Sequence, residues 1–93
     1  MSLRKFAAQL LGRGVELKAA VAAGAAADTD IAVPGLGRRD VLVAVLELQP
    51  PTATSGNAIV ADRVGQTTVV ADGTIRIGAS TAGNQLLILW WSV

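Results

Sequence analysis

The chain predicts an all-β fold, a small antiparallel β-sandwich or barrel with an N-terminal arm or short helix. Three observations carry this. Two apolar runs, Val41-Leu42-Val43-Ala44-Val45-Leu46 and Leu86-Leu87-Ile88-Leu89-Trp90-Trp91, have the length of buried strands. Asp72-Gly73 separates two stretches rich in Thr, Val and Ile, the pattern of a hairpin. Turn residues, among them Pro34-Gly35 and Pro50-Pro51, punctuate the rest at short intervals.

The last run organises the others. A strand sends successive side chains to opposite faces, so Leu86, Ile88 and Trp90 share one face while Leu87, Leu89, Trp91 and Val93 share the other. Both faces need cover, which makes this a central strand. A chain of 93 residues is one domain with a modest core and a poor ratio of buried to exposed surface. Each Trp presents roughly 150–250 Å² of buriable surface. Two readings therefore stand: both Trp belong to the domain's own core, or one face of the strand meets another subunit.

Composition narrows the chemistry. Hydrophobic residues make up 52% of the chain but aromatic ones only 3%, so the core is aliphatic. The formal net charge of +1 supplies no field to attract nucleic acid. With no Cys there are no disulfides or thiol nucleophiles, and with no His the chain lacks the commonest acid–base residue and metal ligand. The expectation is a protein that is not an enzyme and uses no cofactor or metal. Arg4-Lys5 followed by Phe6-Ala7-Ala8-Gln9-Leu10-Leu11 imitates the start of a secretion signal, but Arg13, Glu16 and Lys18 interrupt it. The uncharged stretch over 19–27 is too short to span a bilayer, and no membrane partner is expected.

Residues 1–14 read as an arm and 15–93 as the β-domain. In the arm, Ser2 suits a helix cap, Leu3, Phe6, Ala7 and Leu10 fall on one side, and Gly12 is a stop. A helix that short needs a surface to lie on. From Val15 the period becomes two. Val15, Leu17, Ala19, Val21 and Ala23 form the expected buried side, and Glu16, Lys18, Ala20 and Ala22 the wet side, with a helix as the competing reading of the Ala-rich half. Residues 24–30 read as a flexible connection. Asp28 and Asp30 within it supply too few oxygens for calcium.

Ile31-Ala32-Val33 is a short strand ended by Pro34-Gly35 in a type II turn. Gly35 and Gly37 imitate a phosphate loop, but Asp40 stands where a third glycine belongs, so Arg38-Arg39 reads as a solvated turn. The run over 41–48 is expected beside the terminal strand, where each shelters the other's edge. The prolines at 50 and 51 open an exposed loop to Asn57, residues 58–62 form a strand, and Arg63-Val64-Gly65 a bend. In the hairpin, a two-residue type I′ turn places Ala71 opposite Thr74, Val70 opposite Ile75 and Thr68 opposite Ile77, with Val70, Ile75 and Ile77 on one apolar face. The segment 27–33 resembles 71–77, a single match too isolated to define a repeat.

Asp30-Ile31-Ala32-Val33-Pro34-Gly35-Leu36, Asp40-Val41-Leu42-Val43-Ala44-Val45-Leu46, Ala71-Asp72-Gly73-Thr74-Ile75-Arg76-Ile77 and Thr81-Ala82-Gly83-Asn84-Gln85-Leu86-Leu87-Ile88-Leu89-Trp90-Trp91 occur in that order. This pattern, from about Ala23 onward, resembles small virion proteins of tailed-phage heads, the capsid decoration or cement proteins. The resemblance implies a structural protein on the capsid surface that binds the major capsid protein and itself, with a homotrimer favoured. Phe6, Leu10 and Leu11 are then candidate contacts to the shell or an adjacent subunit, and Trp90 or Trp91 a candidate subunit interface. Two alternatives remain: a carbohydrate-binding or host-adhesion module, and a tail or neck component of the virion.

Overall fold

A computed structural model describes residues 16–51 and 58–92. The expected arm helix, with Phe6, Leu10 and Leu11, lies outside the described residues, as do Val15, Val93 and the loop positions 52–57. Among the described residues seven strands follow in order: β1 (Glu16–Ala23), β2 (Ile31–Ala32), β3 (Val41–Gln49), β4 (Ala58–Asp62), β5 (Thr67–Ala71), β6 (Thr74–Ile77) and β7 (Gln85–Ser92). A single 3-10 turn at Val64–Gln66 forms the expected bend.

The strands make two antiparallel sheets, one ordered β1-β7-β3-β4 and the other β2-β6-β5. The fold is thus the predicted small all-β type, open at its edges and not a closed barrel. β7 lies inside the larger sheet between β1 and β3, so the two apolar runs are neighbours as their sequences require. The core lies between the sheets. The larger sheet supplies Val45, Leu86, Ile88 and Trp90, the smaller Ile31, Ile75 and Ile77, and the β2–β3 connection Val33 and Leu36. Burying each of these fully contributes about 1.5–3 kcal/mol. In a domain with few such residues, each carries a large share of the total stability.

The β2–β3 connection reaches the core because its turn is closed as expected. Leu36 N–H donates to Val33 O at 3.2 Å across Pro34-Gly35. Gly35 has φ 91°, the left-handed conformation that a type II turn demands of its third residue.

Three expectations are corrected. First, β1 is a strand, but its faces are exchanged. Its register sets Ala20 opposite Ile88 and Ala22 opposite Leu86, so these small residues pack against the core while Leu17 and Val21 are exposed. Alternation fixes which residues share a face. Which face turns inward is decided by register against β7, and that register keeps only alanines where the sheets approach.

Second, the β5–β6 hairpin is shifted by one residue. Ala71 is opposite Thr74, but Val69 is opposite Ile75, Thr68 opposite Arg76 and Thr67 opposite Ile77, leaving Val70 as the extra residue of a bulge. A type I′ turn needs positive φ at both central residues, and here Gly73 has it (72°) while Asp72 does not. The loop is held from outside: Gly73 N–H donates to Leu36 O, Val33 N–H donates to Gly73 O, and Arg38 N–H donates to the Asp72 carboxylate.

Third, the chain from Gly24 is anchored where flexibility is expected. Gly24 N–H donates to Asn84 O at 2.8 Å, Thr81 N–H donates to Ala25 O at 2.8 Å, and Ala25 N–H donates to the Thr81 hydroxyl at 3.0 Å. A Cβ on Gly24 would stand 1.9 Å from Thr81 O, so only glycine permits this approach.

Candidate functional site

The inner face of the four-stranded sheet carries its share of the core, and the outer face carries several exposed large apolar side chains. Its composition follows from register. Leu17, Trp91 and Val41 align across β1, β7 and β3, then Ala19, Leu89 and Ala44, then Val21, Leu87 and Leu46. Leu48 of β3 and Ile59 of β4 extend the last corner. The alternation of β3 survives a bulge at Val43, which lies between Leu42, opposite Trp90, and Ala44, opposite Leu89.

Leu17, Val21, Val41 and Ile59 are all more than half exposed. Isolated exposed apolar residues are ordinary, but a contiguous patch rimmed by polar groups marks a contact surface. The polar positions of this parity among the described strand residues are Gln85 and Asp62. Asp62 lies at the rim, where its carboxylate accepts from the backbone N–H of Val45 at 3.0 Å and of Val64 at 3.1 Å.

The two tryptophans are thereby distinguished. Trp90 is 1% exposed in the core, its Nε1 without a hydrogen-bond partner, and Trp91 lies on the outer face between Leu17 and Val41. Of the candidate contact residues, Trp91 alone is placed by the described structure on an outward surface.

Sequence reasoning missed Glu47. It is 3% exposed on the inner side of β3. Arg63 Nε donates to Oε1 at 2.9 Å and Asn84 Nδ2 to Oε2 at 2.6 Å. The Asn84 hydrogen bond holds the carboxyl below its ordinary 4.5, and Arg63 adds to this against the upward pull of burial. Arg63 in turn donates from Nη1 to Gln66 Oε1 and accepts the Thr67 hydroxyl at its carbonyl. The cluster joins β3, the β4–β5 connection and the entry to β7. Its signal was present in the alternation, which gives Glu47 the same parity as Val45, a core position.

The turn at Arg38-Arg39 lines a shallow depression with Gly37, Asp40 and Asp72. Gly37 N–H donates to the Asp40 carboxylate at 2.7 Å and Asp40 N–H to Gly37 O, which closes the turn on itself. Asp30 pairs with Arg76 on the surface. Among the described residues no group of three or more acidic, His or Cys side chains could hold a metal ion, and no helix is long and apolar enough to cross a membrane.

Comparison with protein-family models, curated proteins and solved structures finds no match.

Proposed function

We propose that the protein is a structural component of a tailed-phage head, a decoration protein that binds the assembled capsid as an oligomer. One observation carries the reading: the outer face of the four-stranded sheet is apolar from β1 to β4, a surface suited to contact with protein. The sequence pattern over Asp30 to Trp91 points the same way. A decoration protein needs no reaction chemistry. It stabilises a shell by binding the assembled lattice in preference to dissociated subunits. Joining several copies raises avidity without stronger individual contacts.

In this reading Phe6, Leu10 and Leu11 supply apolar contacts to the shell while the β-domain holds copies together. Removal of residues 1–12 abolishes co-sedimentation with capsids lacking the protein and leaves the circular dichroism of the β-domain intact. Unchanged occupancy on such capsids would refute the role of the arm, and failure of the full chain to bind them would refute the capsid assignment.

A sugar-binding platform is less well supported. Glycan sites set polar side chains beside an aromatic ring, whereas the cross-strand neighbours of Trp91 are Leu17 and Val41.

A further inference from the structure

We infer that the outer face of the four-stranded sheet is occupied by the same face of a second copy of this chain, sheet packed on sheet about a two-fold axis. The inference goes beyond the capsid reading and does not depend on which particle the protein serves. It rests on the size, relief and charge of the face.

With a strand spacing of about 4.8 Å, four strands present a width of roughly 19 Å, and eight residues at about 3.3 Å each a length of roughly 26 Å. Because β4 is only five residues long, the face offers about 450 Å², and two faces in contact bury at most about 900 Å², the size of a weak, reversible interface. The other occupant within the chain is the segment preceding Glu16 at the edge strand β1. A single helix about 10 Å across covers two strands of the four. A second sheet of identical dimensions covers them all.

The relief fits the same partner. Ala19 and Ala44 flank Leu89 on either side, which makes a low row across the sheet. The rows on either side are high, Leu17–Trp91–Val41 above it and Val21–Leu87–Leu46 below. With the two copies shifted by one row along the strands, a high row of each seats in the low row of the other, the interdigitation by which aligned sheets pack about 10 Å apart. Charge sets no obstacle. The ionisable group of this parity, Asp62, lies at the rim with its carboxylate bonded to two backbone N–H groups, so a face meeting itself brings no like charges together. The homotrimer implied by the family resemblance is the competing arrangement and requires another surface.

The test is sedimentation equilibrium of the full chain across a hundredfold range of concentration, alongside Leu89→Glu and Val21→Lys. Both substitutions lie on the outer face, and Val21 is 65% exposed, so far-ultraviolet circular dichroism with a cooperative thermal transition reports an intact fold in each. The expected result is a wild-type monomer–dimer equilibrium whose dissociation constant rises at least 100-fold in both variants. A wild-type monomer, a trimer, or a dimer that persists in the folded variants would each overturn the inference.

Discussion

Replacing Glu47 by Ala tests the account of the polar cluster most directly. The substitution removes two charge-assisted hydrogen bonds and leaves Arg63 Nε and Asn84 Nδ2 facing a void. Breaking a buried ion pair on one side costs about 3–5 kcal/mol where the orphaned charge stays buried. The Arg63 side chain is 25% exposed and can recover part of its hydration, which lowers the expected loss to about 2–3 kcal/mol. Urea unfolding followed by tryptophan fluorescence measures this as a drop in midpoint at unchanged slope.

The pH dependence supplies an independent sign. The folded-state pKa of Glu47 lies below 4.5, so the unfolded chain binds this proton more tightly than the folded one. Its contribution to stability is therefore complete above the unfolded value and is lost as pH falls through the lowered folded value. Glu47→Gln keeps the volume and loses this dependence, so its stability declines less steeply than that of the wild type below pH 4.5. A loss under about 1 kcal/mol in Glu47→Ala, or parallel acid profiles for Glu47→Gln and wild type, would show that the cluster is a solvated surface contact and not a structural tie.

Two further predictions concern single groups in the fold. Gly24→Ala forces a Cβ to within 1.9 Å of Thr81 O, a backbone atom that cannot rotate away, so about 2 kcal/mol or more is lost and thermal unfolding falls by about 8–16 °C. Trp90→Phe removes a buried N–H that has no partner, which offsets the smaller volume of the new ring; the change in urea stability stays within about 1 kcal/mol, and a loss of 3 kcal/mol or more would mean that Nε1 is bonded.

Much of this protein is legible in its sequence. The strands, the Pro34-Gly35 turn and the pairing of the two long apolar runs follow from period-two alternation and turn chemistry, which act between residues close in the chain. Separation of Trp90 from Trp91 onto opposite faces follows from the same alternation.

Tertiary structure alone decided which of those faces became the core. Leu17 and Val21 turn outward because β1 meets β7 with Ala20 and Ala22 toward the second sheet, a choice made by the available space between sheets and not by local hydrophobicity. Val70 became a bulge because the Asp72-Gly73 loop is tied to Leu36, Val33 and Arg38, residues more than thirty positions away. Gly24 is required by Thr81, and Glu47 is satisfied by Arg63 and Asn84, partners that only the folded chain brings within hydrogen-bonding reach. Local periodicity determines what a strand offers on each side. The packing of one sheet against another determines which side is buried, because only there do the distances between remote residues become fixed.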